Sequence, residues 1–413
     1  MQNITQNLPR VITFKDIEAA RERIAGAVYY SPCAPSIPLS EITGMQIFSK
    51  LDNLQRTGSF KERGARNALA QLPPDQKKRG VIAASAGNHA QALAYQGKLL
   101  GIPATVVMPQ YAPLIKISNC EKLGANVVLH GKDFAEAKAR ACEIAAEKSL
   151  AYIDGYDDPS IIAGQGTMAL EIVEQTPNLD AVIVPVGGAG LIAGVSLAVK
   201  TLRPQTKIIA VEAENVASFS AALEAGKPTK IALQPTLADG LAIPQVGANA
   251  FEIASKHVDQ TVTVTEEQIA IAILRLVELE KTVVEGAAAA PLAAAMSGKF
   301  PELTGKRVVL LLCGGNIDPN ILSRVIERGL VADGRLARFT AVISDRPGGL
   351  ADLAKQIAAS GASIKQVVHD RAFASSDVST VNVLCTVETR NHEHLAQLRT
   401  QLKRNGVETY DTK

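Results

Sequence analysis

A lysine that can react as a free amine lies in the stretch TGSFKERGA at residues 57–65. Ser59 can cap a helix whose first turn holds Phe60 and Lys61. Because an apolar neighbour and a helix N-terminus both disfavour a protonated amine, we expect a lowered pKa for Lys61. The amine would then serve as a nucleophile or a base. Taken alone, the stretch also fits an exposed surface lysine, which is the commoner case.

A first anion site is predicted in SAGNHAQALA at residues 85–94, where a buried strand leads into a helix. The backbone N–H groups from Ser85 through Gly87 to His89 would form a cradle for a carboxylate or a phosphate. Asn88 and His89 add polar side chains to this cradle. The alternative is a capped helix with a histidine whose hydrogen bonds are satisfied inside the protein.

A second anion site is predicted in PVGGAGLIAG at residues 185–194, because its glycines let the backbone close around a phosphate at a helix start. Residues 188–193 also satisfy the G-x-G-x-x-A dinucleotide fingerprint, and Glu212 ends the next strand as a ribose-binding acid would. That fingerprint usually opens a nucleotide domain and makes no use of an activated lysine far upstream. We therefore favour a phosphate site over NAD binding.

A cysteine ends a further strand, in LLLCGGNID at residues 310–318. Cys313 stands there before two glycines, and a buried structural thiol is the alternative interpretation. The five cysteines of the chain are widely spread and form no C-x-x-C pair, so neither a disulfide framework nor a zinc ribbon is indicated. A reducing, cytoplasmic location is expected.

The elements that position these stretches alternate between short β-branched runs and longer helical runs, from Asp16 to about Gly334. This alternation is typical of repeated βα units and a mostly parallel sheet. The predicted fold class is therefore α/β. Strands are expected at residues 81–85, 104–109, 125–130, 181–186, 207–212 and 307–312.

The pattern changes after Gly334. FTAVIS, a Pro-Gly-Gly turn, a helix, the runs ASIKQVV and VSTVNVLCTV, a second helix and VETY predict the order βαββαβ in about 75 residues. That is enough for a small independent domain. We place the boundary at Gly334–Arg335, which gives domains at residues 1–334 and 335–413.

Composition narrows the class of partner. Hydrophobic residues make up 47% of the chain, which is too many for a disordered protein. A length of 413 residues suffices for about two or three domains. The 43 basic and 41 acidic residues nearly cancel, so we expect neither nucleic acid nor a membrane surface as partner. No apolar run approaches the roughly 20 residues of a membrane span, and the N-terminus lacks the pattern of a signal peptide. A small-molecule ligand is the better expectation.

The stretches around residues 61, 88, 188 and 313, in this order, resemble the pyridoxal-phosphate enzymes of the tryptophan-synthase β fold, specifically the serine/threonine dehydratases and serine racemases. The resemblance covers roughly residues 15–330. It implies a type II fold with two open parallel-sheet subdomains, the smaller at roughly residues 55–157. It also implies that Lys61 holds pyridoxal phosphate, Phe60 packs on its ring, Asn88 bonds its ring oxygen, Cys313 meets its pyridine nitrogen, and Gly187, Gly188, Ala189, Gly190 and Leu191 bind its phosphate. Ser85, Gly87, Asn88 and His89 would bind the substrate carboxylate.

The activity implied by this resemblance is that of an L-threonine dehydratase, or ammonia-lyase, which would also act on L-serine. Elimination of water from these hydroxy-amino acids gives 2-oxobutyrate or pyruvate and ammonia. A serine racemase or a β-replacement enzyme is the alternative, and a non-catalytic amino-acid sensor or NAD-binding protein a further one. Racemisation needs a second proton donor, and Ala86 stands where the racemases have a serine hydroxyl.

Three positions depart from the family pattern. Ala189 replaces a common glycine of the phosphate loop, and Tyr156 stands where the family often has Phe or Asn against the ring. Glu212 is a candidate ligand for the divalent metal of the racemases, but Ser218 stands where their second carboxylate falls. Two other segments look familial: AGQGT at residues 163–167, and TLADGLA at residues 236–242, which in the family lies beside the substrate.

The segment from Leu336 onward resembles an ACT domain, a small amino-acid-sensing module, through its βαββαβ pattern and the SDRPGGLADL turn. The resemblance implies an amino-acid effector bound near Asp345, Gly348, Gly349 and Leu350, at a helix N-terminus. The alternative is a domain that only dimerises the protein. We expect a homo-oligomer in either case.

Overall fold

The computed structural model describes residues 11–370 and 379–411. The chain forms two compact units, Met1–Asp318 and Pro319–Lys413. The described part has fourteen β-strands: β1 (Cys33–Ser36), β2 (Gln46–Lys50), β3 (Val81–Ala84), β4 (Ala104–Met108), β5 (Asn126–Leu129), β6 (Ala151–Tyr152), β7 (Ala181–Pro185), β8 (Lys207–Ala213), β9 (Gln260–Val264), β10 (Arg307–Leu311), β11 (Leu336–Ser344), β12 (Ser363–Asp370), β13 (Thr380–Glu388) and β14 (Glu408–Asp411).

The same residues include sixteen α-helices: α1 (Phe14–Ile24), α2 (Ile37–Thr43), α3 (Lys61–Ala70), α4 (Pro74–Arg79), α5 (Asn88–Leu100), α6 (Leu114–Lys122), α7 (Phe134–Lys148), α8 (Pro159–Gln175), α9 (Gly190–Leu202), α10 (Ser218–Ala225), α11 (Ala248–His257), α12 (Glu266–Leu279), α13 (Gly286–Met296), α14 (Pro319–Ala332), α15 (Gly349–Ala359) and α16 (His392–Arg404). Within the described residues, no helix is both long enough and apolar enough to cross a membrane.

The first unit contains two sheets. One has the strand order β1-β2-β10-β7-β8-β9 and is parallel except for β1, which pairs antiparallel with β2. The other has the order β5-β4-β3-β6 and is wholly parallel. Each of the six strands predicted from the sequence is present to within one residue at either end. The α/β class with two parallel-sheet subdomains is therefore confirmed.

The loops that carry the predicted chemistry follow the carboxyl ends of three strands. The residues after β3 lead into α5, those after β7 lead into α9, and Cys313 lies just beyond β10. All residues of β3 and β7 are buried, because helices cover both faces of their sheets. Ligands of open α/β sheets bind at these carboxyl ends, so the fold itself gathers the loops into a site.

Helix α3, which begins at Lys61, is held against α8 by close backbone contact. A Cβ atom placed on Gly164 of α8 would lie 2.6 Å from the Cα atom of Gly64 in α3. Only glycine at position 164 therefore allows the two helices to approach so closely. The segment AGQGT at 163–167 thus packs α8 against the helix that carries Lys61.

The second unit begins at α14, so this helix belongs with the residues that follow it, whereas the sequence-based boundary at 334–335 lies just after its end. Beyond α14 the order is βαββαβ, as the sequence predicts, in an antiparallel sheet ordered β12-β13-β11-β14. Its core includes Phe339, Ile357, Val383 and Leu398. The predicted run VSTVNVLCTV starts at Val378, which lies outside the described residues; β13 covers its continuation.

Candidate active site

Lys61 is the first residue of α3, and the segment before it is tied to the end of β10. Phe60 N–H donates to the carbonyl of Cys313 at 3.0 Å, and Ser59 forms an isolated antiparallel bridge with Gly314. The Lys61 ammonium donates to the carbonyl of Gly155 at 2.6 Å. Burial lowers the pKa of Lys61 to about 8, as the sequence predicts, although nearby acidic groups oppose the shift.

Ser59 does not cap α3, so this expectation is wrong. Phe60 occupies the N-cap position with φ −53° and ψ −19°, which is helical backbone. The bridge to Gly314 fixes Ser59 instead, and its buried hydroxyl has no hydrogen-bond partner among the described residues. The Phe60 ring lies 5.1 Å from the Lys61 nitrogen, measured to the ring centroid. The apolar neighbour expected beside Lys61 is therefore present.

The predicted phosphate loop lies at the start of α9. Ala189 has φ +69°, a left-handed conformation that disfavours a side chain, and α9 begins at the next residue. A Cβ atom at Gly188 would lie 2.3 Å from Cγ of Tyr156, and one at Gly190 would lie 2.2 Å from the Tyr156 carbonyl oxygen. Glycine is therefore required at both positions. Gly190 and Leu191, in the first turn, have N–H groups without an acceptor inside the helix.

TLADGLA lies between this loop and a buried carboxyl group. A Cβ atom at Gly187 would lie 3.0 Å from the Cα atom of Leu241, and one at Gly240 would lie 3.4 Å from an oxygen of Glu285. Burial, with help from Asp239, raises the pKa of Glu285 to about 7. The segment predicted to lie beside the substrate therefore borders both the predicted phosphate loop and an acid that sequence reasoning missed.

The stretch at residues 85–94 follows the carboxyl end of β3. Part of its predicted anion cradle already forms hydrogen bonds within the protein. Ser85 N–H donates to the Val107 carbonyl at 3.1 Å, and Gly87 N–H donates to the Ser85 hydroxyl oxygen at 3.2 Å. Asn88 and His89 occupy the first turn of α5, where N–H groups have no acceptor inside the helix. The N–H groups of Ser85 and Gly87 are thus engaged within the protein, whereas those of Asn88 and His89 remain for a carboxylate.

The His89 side chain is turned into the protein. Its Nε2 atom lies 3.1 Å from the Ile153 carbonyl, which can only accept, so Nε2 carries the hydrogen. Burial, aided by the charge of Lys61, lowers the pKa of His89 to about 4. The imidazole is neutral at physiological pH and offers no charge to a substrate carboxylate.

Comparison with known proteins decides the family. Residues 24–314 match the family described as pyridoxal-phosphate dependent enzyme. The chain belongs to this family. Its cofactor is accordingly pyridoxal phosphate.

Curated relatives and solved structures match most of the chain. The L-threonine ammonia-lyase of Thermotoga maritima is 43% identical over 96% of this chain and 99% of its own. The processed form of threonine deaminase isoform 2 from Solanum lycopersicum is 36% identical, with a TM-score of 0.73 over 78% of this chain and 96% of that one. Serine racemase from Dictyostelium discoideum is 35% identical, with a TM-score of 0.71 over 74% of this chain and 99% of that one.

The site of this pyridoxal-phosphate enzyme fits its cofactor. A lysine amine with a pKa of about 8 suits reaction with an aldehyde, and the loop before α9 offers backbone N–H groups to a phosphate. Cys313 is 3% exposed, and burial raises the pKa of its thiol well above the ordinary value. A thiol that keeps its proton is a weak hydrogen-bond donor, which suits a pyridine nitrogen that is not fully protonated.

Glu212, the metal candidate, is fully occupied by hydrogen bonds within the protein. One carboxylate oxygen accepts from Phe219 N–H at 2.7 Å, and the other accepts from Ser220 N–H at 2.9 Å and from its hydroxyl at 2.6 Å. The carboxylate thereby caps the start of α10. No group of three His, Cys, Asp or Glu side chains within residues 11–370 and 379–411 is arranged to hold a metal ion.

Sequence reasoning also missed a cluster of four buried charges, one of which, Arg63, lies two residues after Lys61 in α3. Arg63 contacts Glu171 through Nη1 at 2.5 Å and Nη2 at 2.9 Å, and Lys50 contacts the same carboxylate at 2.6 Å. Asp52 is the fourth member, held by Arg63 as well. No local signal distinguishes these residues from exposed charges, because their partners come from distant segments.

The predicted effector residues lie at the start of α15 in the second unit. Gly348 has φ +99° and is the N-cap of the helix, which begins at Gly349. A Cβ atom at Gly349 would lie 2.4 Å from the Ser344 carbonyl oxygen, so only glycine fits there. Asp345 N–H donates to the Ser379 carbonyl at 3.0 Å, and Leu350 is exposed.

Proposed function

We propose that this protein is an L-threonine ammonia-lyase, which converts L-threonine into 2-oxobutyrate and ammonia and also acts on L-serine to give pyruvate. The observation that carries this proposal is the 43% identity to the Thermotoga maritima enzyme across nearly the full length of both chains. A small hydroxy-amino acid is therefore the substrate class. The backbone N–H groups in the first turn of α5 support a site for an amino-acid carboxylate.

We assign the cofactor contacts by combining the family resemblance with the geometry. Lys61 holds pyridoxal phosphate, Phe60 packs on its ring and Asn88 meets its ring oxygen. The loop from Gly187 to Leu191 binds the phosphate, and Cys313 faces the pyridine nitrogen. Pyridoxal phosphate, when bound, supplies an electron sink for the electron pair left at the substrate Cα atom.

The residues of the chain carry out the proton transfers of the reaction. The Lys61 amine removes the proton from the substrate Cα atom, because its lowered pKa leaves a much larger fraction of it unprotonated at neutral pH than an ordinary lysine has. The resulting ammonium can return that proton to the departing β-hydroxyl group, so water leaves. Gly155, whose carbonyl accepts from the Lys61 nitrogen, holds the lysine while it is charged. The weak Cys313 donor favours elimination over transamination.

Steady-state formation of 2-oxo acid from L-threonine and from L-serine tests the proposal. Protein saturated with pyridoxal phosphate should release one ammonia for each 2-oxo acid, and the Lys61→Ala variant serves as the matched blank. Absence of 2-oxo acid from both substrates, with the cofactor demonstrably bound, would refute the assignment.

We further propose that the domain after residue 334 is an ACT-like regulatory module, with an amino-acid effector at Asp345, Gly348, Gly349 and Leu350. The antiparallel sheet with βαββαβ order and the helix start at Gly349 support this assignment. We also expect a homo-oligomer located in the cytoplasm.

Truncation tests the regulatory role. Because the first compact unit ends at Asp318, a chain that ends there should fold, bind cofactor and turn over L-threonine. Rates measured with each of the other L-amino acids added in turn should respond in the full chain and not in the truncated one. A truncated protein that is insoluble or lacks cofactor would instead make the C-terminal unit part of the catalytic fold.

A further inference from the structure

The side chain of Asn88 is held between two residues from distant parts of the chain. Its amide nitrogen donates to a Glu285 oxygen at 2.8 Å, and its amide oxygen accepts from the side-chain nitrogen of Asn316 at 2.8 Å. That Asn316 nitrogen also donates to the backbone carbonyl of Thr57 at 2.7 Å. The four groups form one continuous chain of hydrogen bonds, which we call the Asn88 relay.

The orientation of every amide in the Asn88 relay follows from the Thr57 carbonyl. A backbone carbonyl can only accept, so it must face the nitrogen of Asn316 rather than its oxygen. The same nitrogen requires the oxygen of Asn88, which leaves the nitrogen of Asn88 toward Glu285. Neither amide can rotate by 180° without placing two acceptors or two donors against each other.

Close packing reinforces this arrangement. A Cβ atom on Gly58, whose φ is +74°, would lie 2.5 Å from the Asn316 amide oxygen. A Cβ atom on Gly314 would lie 2.2 Å from the Glu285 carboxylate oxygen that accepts from Asn88. Glycine at these two positions lets both side chains reach Asn88. The segments before α3, before α13 and after β10 thus converge on one amide.

The Asn88 relay leaves one N–H of Asn88 uncommitted. The amide nitrogen carries two hydrogens, and Glu285 takes one; the described residues give the other no acceptor. Glu285 also lies near enough to Lys61 to act on its charge. The free N–H is therefore available at the site that contains the lysine.

We propose that Asn316 and Glu285 are positioning residues, which fix the Asn88 amide so that its free N–H meets the ring oxygen of pyridoxal phosphate. This inference rests on the role assigned to Asn88 under the proposed function. What Glu285 contributes is a hydrogen-bond acceptor. A glutamine retains that acceptor, whereas a methionine of similar length removes it.

The test measures cofactor affinity and not turnover. Cofactor-free protein is titrated with pyridoxal phosphate, and the visible absorption of the bound form gives the Kd. The Asn316→Ala and Glu285→Met variants should each weaken binding roughly tenfold, the effect expected for a misdirected hydrogen bond to a charged oxygen. Glu285→Gln should change the Kd by less than about threefold. Thermal unfolding of the cofactor-free variants verifies that each is folded.

A double-mutant cycle shows whether the two residues act through Asn88. In an Asn88→Ala background, neither Asn316→Ala nor Glu285→Met should weaken binding further, because no amide remains to be oriented. Additive losses, or an unchanged Kd in either single variant, would overturn the proposal, and so would a Glu285→Gln variant as weak as Glu285→Met. These outcomes are independent of the substrate, so they are distinguishable from a failure of the 2-oxo acid assay.

Discussion

The guanidinium group of Arg63 donates two parallel hydrogen bonds to the carboxylate of Asp52, from Nε at 2.6 Å and from Nη2 at 2.8 Å. Both side chains are completely buried, and Arg63 lies two residues after Lys61 in α3. A two-pronged ion pair of this kind fixes the direction as well as the distance of its partners. The ion pair with Asp52 therefore fixes the position of α3, the helix that begins at Lys61.

Replacing Arg63 with methionine should destabilise the fold by about 3–5 kcal/mol, because Asp52 and Glu171 are left buried without this cation. Denaturant unfolding of the cofactor-free protein measures the loss. The matched control is Arg21→Met, since Arg21 forms an exposed pair with Glu174 and should cost no more than about 1 kcal/mol. Similar losses for the two variants would show that burial of the cluster is not what matters.

The same pair predicts a change in acid stability. Burial alone would raise the pKa of Asp52, but the charge and hydrogen bonds of Arg63 outweigh it, and the net pKa is lowered. Asp52 therefore stabilises the fold above the unfolded carboxyl pKa of about 3.9, and this contribution is lost as the pH falls through the lower folded value. In Arg63→Met the folded pKa should rise, so acid unfolding monitored by circular dichroism should begin at a higher pH. An unchanged midpoint would contradict this dependence of the Asp52 pKa on Arg63.

Capture of pyridoxal phosphate by the cofactor-free protein should depend on the lowered pKa of Lys61. Only the unprotonated amine attacks an aldehyde, and its pKa falls from 10.5 to about 8. The capture rate should therefore rise roughly tenfold per pH unit below that value and level off above it. Stopped-flow absorbance gives the profile. A rate still rising steeply above pH 9 would contradict the assignment, as would near-normal turnover in Lys61→Ala.

Replacing Ala189 with glycine should stabilise the protein by roughly 0.5–1 kcal/mol. Alanine at φ +69° costs about 1–2 kcal/mol, of which the extra freedom of glycine in the unfolded chain offsets a part. The matched control is Ala198→Gly, in the interior of α9, which should lose about 1 kcal/mol or more. The melting temperatures of the two variants should therefore move in opposite directions; a shared decrease would remove the strain argument.

Elimination should greatly exceed racemisation when L-serine is the substrate. Ala86, in the loop between β3 and α5, has only a methyl group where the resemblance to the racemases implies a second proton donor. Ala86→Ser should therefore raise D-serine formation. Chiral chromatography of the serine left after partial turnover measures this ratio. Substantial D-serine from the unmodified protein would mean that another residue supplies the proton.

The local sequence was sufficient to predict the strands, the loops after them and a helix start beside Lys61. Buried parallel strands need runs of β-branched residues, and loops that close around an anion need glycine. Both patterns involve residues that are adjacent in the sequence, so they can be recognised there. The βαββαβ order of the C-terminal unit was predictable for the same reason. The prediction that Ser59 caps α3 was wrong because a bridge to Gly314, more than 250 residues away, fixes that segment instead.

Only the tertiary structure decided which polar side chains are buried and paired. Asn88 lies 197 residues from Glu285 and 228 residues from Asn316, and nothing near any of them indicates the contact. From their sequence neighbours alone, Arg63 and Glu171 would both be predicted to lie on the surface. The pKa of a group depends on its burial and on the charges around it, and both are set by long-range packing. The sequence determined which chemical groups the site contains, whereas the tertiary fold determined their hydrogen bonds and charge.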